Sequence, residues 1–173
     1  MSKNIIKFYI NDKKVEANSD ETIWEVSKRE NINIPHLCHA DEPGYRSDGN
    51  CRACMVEIEG ERVLAASCIR KPTEGMKIST DSTRSISARK SVFELLSADQ
   101  PCRESHPDPD SKFWKWVDNM NIETSQYPKI KNVKRDITHK AMHVNLDACI
   151  NCNLCVRACR EVQVNDVIGM SYR

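Results

Sequence analysis

A closely spaced run of four cysteines constrains this chain more than any other feature of its sequence. The spacing is C-x2-C-x2-C-x3-C, and the members are Cys149, Cys152, Cys155 and Cys159. This is the thiolate spacing of a cubane [4Fe–4S] cluster, in which the fourth cysteine usually ligates a neighbouring cluster. Zinc is the alternative, although zinc sites favour two C-x2-C pairs separated by a longer loop. The run therefore predicts an iron–sulfur site and an electron carrier.

A second set of four cysteines lies upstream, with the spacing C-x12-C-x2-C-x13-C. Its members are Cys38, Cys51, Cys54 and Cys68. A central C-x2-C with one outlying cysteine on each side suits a [2Fe–2S] cluster, in which two thiolates bind each iron. The loop before the pair contains Gly44, Gly49 and Asn50, and Ala53 lies inside it. Because such residues let a loop turn its N–H groups toward sulfur, we predict a [2Fe–2S] site here, with structural zinc as the alternative.

Other residues that could bind a ligand receive plainer interpretations. Cys102 stands alone, and a single thiolate cannot hold a cluster, so we interpret it as a bystander. His36 and His39 flank Cys38, but histidines are more often hydrogen-bonded than ligating, and we leave both out of the predicted ligand set. The aromatic patch at residues 113–116 predicts packing rather than stacking on a cofactor.

Composition restricts the compartment and the class of partner. Nine cysteines in 173 residues require disulfides or bound metal. The sequence shows no signal peptide and no apolar stretch of membrane-spanning length. We therefore expect a reducing, cytoplasmic setting in which metal is preferred over disulfides. A net charge of +1 gives no reason to expect nucleic acid as a partner.

Local patterns predict a small mixed sheet wrapped on one helix in residues 1–80. Alternating apolar residues bounded by turn residues predict strands over residues 4–10, 14–17, 54–59, 62–66 and 75–80. A capping box at Thr22 and Glu25 opens a helix that continues to about residue 31, and Pro35 stops it. This is a β-grasp plan, and it resembles [2Fe–2S] ferredoxins.

Downstream of the sheet the sequence predicts a long connector helix, capped by Asp81 or Ser82 and ending near Ala98. Its apolar face would consist of Ile86, Ala88, Val92, Phe93, Leu95 and Leu96. The predicted fold class is α+β, in three parts. These are a β-grasp ferredoxin-like domain at 1–80, the connector helix with a proline-rich segment at 81–143, and the first half of a two-cluster [4Fe–4S] ferredoxin-like module at 144–173.

The residues around both cysteine sets resemble a region shared by several oxidoreductase subunits. The matching segments are residues 36–39, 49–57 with Cys68, and 145–169. They are similar to the iron–sulfur subunit of respiratory complex I, to subunits of iron-only and NAD-linked hydrogenases, and to the alpha subunit of NAD-dependent molybdenum or tungsten formate dehydrogenase. Residues 145–169 and 97–116 closely resemble the formate dehydrogenase version.

The sequence departs from this family in two places. Members usually carry a His-x3-Cys-x2-Cys-x5-Cys box that holds a further cluster. In this chain His106 occupies the histidine position of the box, but the three cysteine positions hold Asp110, Phe113 and Asn119. We therefore expect that cluster to be absent and proline-rich packing to fill its place. Members also continue with a second cysteine quartet and a molybdopterin-binding region, so a chain ending at Arg173 is expected to be a truncated product or fragment, or to rely on a partner for the other half.

The resemblance implies an electron-transfer segment of a formate dehydrogenase alpha subunit. In such enzymes formate is oxidised at a molybdenum or tungsten bis-pterin, and clusters pass electrons to an FMN-containing subunit that reduces NAD. The implied partners are that flavin and NAD subunit and the remainder of the catalytic subunit, and no residue here is a candidate acid, base or nucleophile. The alternatives are an electron-input subunit of a complex I-type or hydrogenase diaphorase, a free-standing ferredoxin-like carrier, and a zinc-stapled interaction protein.

Overall fold

The computed structural model describes residues 5–129 and 134–170. Two predicted positions, Asn4 at the start of the first strand and Arg173, lie outside the described residues. The chain divides into two compact units, Met1–Arg89 with Asn153–Arg173, and Lys90–Cys152. The domain boundaries predicted at 80/81 and 143/144 stay predictions. Within 5–129 and 134–170, no helix combines the length and apolar character needed to cross a membrane.

The first unit is built on a mixed sheet of five strands in the order β2-β1-β5-β3-β4. The strands are β1 (Ile5–Ile10), β2 (Lys13–Asn18), β3 (Met55–Ile58), β4 (Ala65–Ala66) and β5 (Lys77–Ser79). Strand β1 pairs antiparallel with β2 and parallel with β5, and β3 pairs antiparallel with both β5 and β4. The predicted mixed sheet is confirmed, although β4 is shorter than the sequence indicates.

Two local signals place the first elements where the sequence predicts them. Asn11 and Asp12 have φ values of 47° and 64°, the left-handed pair that a type I′ hairpin turn requires. The Glu25 N–H donates to Thr22 Oγ1 at 3.3 Å, and the Thr22 N–H donates to the Glu25 carboxylate at 2.7 Å. This capping box opens helix α1 (Ile23–Arg29), which ends slightly before the predicted residue 31.

Helix α1 and the sheet share one apolar core. Its buried members are Phe8, Ile10, Val15, Ala17, Ile23, Trp24, Val26, Ile34, Cys54, Val56, Ile58, Ala66, Cys68 and Ile78. Burial of apolar surface is the main favourable contribution to folding. Because Cys54 and Cys68 belong to this core, the hairpin that carries them is fixed by packing on both of its strands.

Helix α2 (Thr83–Asp99) starts in the first unit and continues into the second. Ser82, one of the two predicted capping residues, caps the helix, because the Ser85 N–H donates to Ser82 Oγ at 3.2 Å. The predicted apolar face is wrong in part, because Ile86 and Leu95 are 50% and 51% exposed.

The buried line of α2 instead follows Ser85, Arg89 and Phe93, which lie four residues apart. Arg89 is tolerated there because its guanidinium donates to the Ser85 and Thr80 carbonyl oxygens. A buried charge with satisfied hydrogen bonds avoids most of the cost of burial. Burial lowers the pKa of Arg89 from its ordinary value.

The second unit packs around aromatic side chains. Helix α3 (Lys112–Asn119) buries Phe113, whose ring stacks on Phe93 at 5.9 Å between centroids. Trp114 meets His106 edge-on at 5.6 Å, and the Arg103 guanidinium lies 5.5 Å from the Trp114 ring. Phe113 and Trp114 therefore pack against other side chains, as predicted.

The expectation of proline-rich packing at the degenerate His–Cys box is corrected. Pro107 and Pro109 are exposed, and so are Asp110 and Asn119, which stand at two of the three thiolate positions. Phe113 stands at the remaining thiolate position and is only 2% exposed. An aromatic ring on a helix therefore fills this region, because it removes more apolar surface from water than solvated proline rings do.

Candidate iron–sulfur site

The four upstream cysteines meet beside the β3–β4 hairpin. Cys54 directly precedes β3 and Cys68 follows β4, while Cys38 and Cys51 lie in the loop between α1 and β3. The thiol of Cys38 interacts with those of Cys51 and Cys68, and the thiol of Cys54 interacts with that of Cys68. Ser67 ties the two hairpin positions together, because its N–H and hydroxyl both donate to the Cys54 carbonyl oxygen, at 3.1 and 2.8 Å.

Backbone N–H groups point at the sulfur atoms, as the loop composition predicts. The Cys51 N–H donates to Cys38 Sγ at 3.5 Å, and the Ala53 N–H donates to Cys51 Sγ at 3.4 Å. The Asn50 backbone also hydrogen-bonds to the Cys38 thiol. Successive N–H groups of this kind form a concave site that favours negative charge on sulfur.

Left-handed backbone conformations produce this curled loop. Gly49 has a φ of +62°, and a Cβ built on it would lie 2.7 Å from Ile69 Cδ1, so only glycine fits without a shift. From the sequence, Ala53 is the residue within the C-x2-C pair expected to let the loop curl. The left-handed residue of the pair is instead Arg52, with a φ of 59°, a conformation that is uncommon outside glycine.

The clustered thiols change one another's acidity. Hydrogen bonds from the Cys51 and Cys68 thiols lower the pKa of Cys38 to about 2. A hydrogen bond from Cys68 lowers the pKa of Cys54 to about 7. The same contacts, together with burial, raise the pKa values of Cys51 and Cys68. These contacts favour loss of a proton from Cys38 and Cys54, and metal binding requires deprotonated thiol ligands.

The donor set fits a [2Fe–2S] cluster. Cys38, Cys54 and Cys68 are each 1% exposed, and Cys51 is half-buried, so four cysteine side chains line a site shielded from water. In the part of the chain that the structure describes, no three His, Cys, Asp or Glu side chains are arranged around a single ion. A [2Fe–2S] cluster takes two thiolates at each of two irons, and the contacts of Cys38 with Cys51 and of Cys54 with Cys68 supply two such pairs. The ligand assignment itself stays a prediction.

Aromatic rings pack near Cys38. The ring of Trp24 lies 4.5 Å from that of His36 and 4.2 Å from that of His39, between centroids. His39 Nδ1 is 2.7 Å from Ser47 Oγ, and its Nε2 is 3.2 Å from Asp41 Oδ1. His36 Nδ1 lies 3.3 Å from the Ile34 carbonyl oxygen. Both histidines therefore have protein partners.

The second cysteine set is divided between the two compact units. In the first, α4 (Leu154–Arg157) leads into a wider helical turn at Ala158–Val162, Cys155 is exposed, and the Val167 N–H donates to Cys159 Sγ at 3.4 Å. In the second, Cys149 Sγ lies 3.8 Å from Asn151 Oδ1, and Cys152 is half-buried. The [4Fe–4S] assignment stays a prediction.

Sequence reasoning missed one residue that contacts the upstream site. Arg157 lies between Cys155 and Cys159, is fully buried, and donates to the backbone carbonyl oxygens of Cys38 and Arg46. The only hint in the sequence is a charged residue placed inside a cysteine run. Such a residue usually lies on a solvated face.

Comparisons with known proteins agree with the upstream site. Residues 3–83 match the family model described as a 2Fe-2S iron-sulfur cluster binding domain. The chain is 29% identical over 173 residues to "NADP-reducing hydrogenase subunit HndD" of Solidesulfovibrio fructosivorans. The alignment covers 96% of this chain and 29% of that protein. It is also 26% identical over 170 residues to "NADH-ubiquinone oxidoreductase 78 kDa subunit, mitochondrial" of Candida albicans. That alignment covers 95% of this chain and 22% of that protein.

A solved structure shows the same fold. The crystal structure of a NAD+-reducing [NiFe]-hydrogenase in the H2-reduced state matches 97% of this chain and 71% of its own chain, with a TM-score of 0.82 and 24% identity. The chain spans less than a third of the length of the two curated relatives, at 29% and 22%.

Proposed function

We propose that this chain is an iron–sulfur electron-transfer segment of a larger NAD- or NADP-linked oxidoreductase. The observation that carries the proposal is the meeting of four cysteine thiols under backbone N–H donors, inside the residues that match a 2Fe-2S domain. The proposed [2Fe–2S] ligands are Cys38, Cys51, Cys54 and Cys68. When bound, the cluster supplies one-electron transfer.

The protein's own residues would set the properties of that cluster. Potentials of iron–sulfur clusters depend on hydrogen bonds to sulfur and on solvent exposure. Here the N–H groups of Cys51 and Ala53 stabilise negative charge on sulfur, and the core side of the hairpin excludes water from Cys54 and Cys68. Cys51 is the most exposed of the four, so electrons would exchange with a partner on its side.

The proposal extends to a second cluster and to the remaining subunits. The proposed ligands of this [4Fe–4S] cluster are Cys149, Cys152, Cys155 and Cys159, because their spacing is that of a cubane site. The proposed setting is the cytoplasm, and the proposed partners are a flavin and NAD subunit and further catalytic polypeptide. We assign FMN, NAD and a bis-pterin metal centre to those partners.

Formate is the proposed electron source. The support is the likeness of residues 145–169 and 97–116 to formate dehydrogenase alpha subunits, together with the buried Phe113 where a thiolate would hold a further cluster. A second candidate is an electron-input segment of a hydrogenase or complex I-type enzyme, and the names of the two curated relatives favour it. Adding formate and hydrogen separately to the oxidised assembled complex, with no NAD present, distinguishes the two. Reduction of the clusters by formate supports the first candidate, and reduction by hydrogen alone, or by neither donor, supports the second.

Iron and sulfide analysis of the anaerobically purified chain, with EPR after dithionite, tests the shared proposal. Two assembled clusters give about six irons per chain, and the upstream cluster alone gives about two. Cys54→Ser should remove about two irons and the [2Fe–2S] signal, and Cys155→Ser should leave that signal intact. Cys102→Ser is the matched control and should change neither quantity. Zinc in place of iron in the unmodified chain would overturn the proposal.

A further inference from the structure

The loop after Cys38 lacks regular backbone pairing. Residues 39–54 contain no strand and no helix, so their carbonyl oxygens need other donors. Buried backbone oxygens without partners are costly, and native structures rarely leave them unpaired. The Arg157 guanidinium supplies donors to two of them, the carbonyl oxygens of Cys38 and Arg46. One side chain thus ties together two distant points of the loop.

Other residues of the loop also contact the segment that carries Arg157. The Arg157 guanidinium lies 5.5 Å from the Tyr45 ring, and the Tyr45 hydroxyl donates to the Leu154 carbonyl oxygen at 3.4 Å. A Cβ built on Gly44 would lie 3.4 Å from Val162 Cγ2. The loop and the helical segment that carries Cys155 and Cys159 therefore pack closely around the buried guanidinium.

Arginine suits this position better than lysine. Its guanidinium is planar and always charged, and it presents five N–H donors in a rigid fork, whereas a lysine ammonium is a compact and strongly hydrated charge. A fork can reach two carbonyl oxygens at once without water. The full burial of the Arg157 side chain requires that property, because water is not available to complete the shell.

The positive charge is only partly balanced. Asp48 Oδ2 lies 3.8 Å from Arg157 Nε, which makes no hydrogen bond, and the Asp48 side chain is 26% exposed. The Glu161 carboxylate also interacts electrostatically with Arg157, but it forms ion pairs with Arg46 at 3.4 Å and with Arg160 at 2.9 Å. A charge inside protein is screened less than one at the surface. Arg157 therefore keeps a net positive field beside the backbone of Cys38.

We infer that Arg157 is a positioning residue for the upstream site, where it braces the Cys38 loop and raises the reduction potential of the cluster held there. This inference rests on the proposed function. A nearby positive charge stabilises the added electron of the reduced cluster, and the brace keeps the Cys38 ligand in place. A residue in the downstream cysteine segment thereby adjusts the upstream site.

EPR-monitored redox titration of the anaerobic chain tests this role, with iron content measured on each sample. Arg157→Gln should lower the equilibrium constant for one-electron reduction by about tenfold, a shift of about 59 mV. Arg157→Lys keeps the charge and should recover most of that shift, while losing iron to a chelator faster than the unmodified chain. The control Arg160→Gln removes a 41% exposed charge from the same segment and should shift the potential much less.

The sign of a second variant separates charge from general damage. Asp48→Asn removes a negative neighbour of the guanidinium and should raise the potential, opposite to Arg157→Gln. An unchanged potential in Arg157→Gln at full iron content, an equal shift in Arg160→Gln, or a fall in Asp48→Asn would each overturn the inference. If Arg157→Gln does not fold, the direction of the potential shift in Asp48→Asn decides whether the inference holds. Absence of iron from the unmodified chain would overturn the proposed function itself, and the inference with it.

Discussion

Replacing Gly49 with alanine tests whether the cysteine loop depends on its tight turn. Gly49 has a φ of +62°, where a Cβ costs about 1–2 kcal/mol, partly offset by about 0.4–1 kcal/mol through the unfolded chain. The added Cβ would lie 2.7, 3.2 and 3.3 Å from Cδ1, Cγ1 and Cγ2 of Ile69. Because three atoms of a β-branched side chain are too close, Ile69 must turn as a whole, which adds about 1–3 kcal/mol. The expected loss in the free energy of unfolding is about 2–4 kcal/mol.

Gly60→Ala is the matched control for this prediction. Gly60 has a φ of +82°, but no atom lies within 4 Å of its added Cβ, so only the backbone cost of about 1 kcal/mol applies. Thermal unfolding followed by circular dichroism, at equal iron content, measures both. For a chain of this size about 1 kcal/mol shifts Tm by roughly 2–4 °C, so Gly49→Ala should lose about 6–12 °C and Gly60→Ala about 3 °C.

The double variant Gly49→Ala/Ile69→Val removes the atom nearest to the added Cβ. It should recover part of the lost Tm, whereas Ile69→Val alone should cost little, because Ile69 is 47% exposed. Gly49→Ala should also release iron to a chelator faster than Gly60→Ala. Equal losses of Tm in the two alanine variants, or no coupling between Gly49 and Ile69, would refute the steric reasoning.

Three further outcomes are expected. Thr22→Ala removes the capping box of α1 and should cost about 1 kcal/mol of unfolding free energy, measured by thermal unfolding. Phe113→Ala opens a cavity in the second unit and should cost about 3–5 kcal/mol, whereas Lys115→Ala on the same helix should change little. The Arg103 guanidinium holds the pKa of Asp118 below its ordinary value, so an NMR titration of Arg103→Gln should show that pKa rising. The stabilisation from this exposed pair is present above the ordinary pKa and is lost as the pH falls through the lowered one.

The fold is predictable where one local rule decides the outcome. Asn11-Asp12 form the turn and Thr22 with Glu25 form the cap because both depend only on neighbours in sequence. The buried face of α2 is not predictable in this way. Its inward line contains Arg89, and burial of that charge depends on the Thr80 carbonyl oxygen, which lies outside the helix, in the turn between β5 and α2.

The same division applies to the candidate site. The cysteine spacing indicates the upstream ligands, and the small residues indicate a curled loop, because both follow from known ligand geometry. The left-handed Arg52 and the buried Arg157 give no such signal. Arg157 acts on carbonyl oxygens 111 and 119 residues away, and only the folded chain brings those groups together.

This separation also sets an order of events during synthesis. The upstream cysteines and all five strands of the sheet lie before residue 80, whereas Arg157 follows Cys68, the last of those cysteines, by 89 residues. A ribosome adding about 5–20 residues per second needs roughly 4–18 s to make that stretch. During this interval the four cysteines have already been made, and the guanidinium that closes over their loop has not. Iron and sulfide donors that act within this interval would meet an open loop, and donors that act after it would meet a braced one.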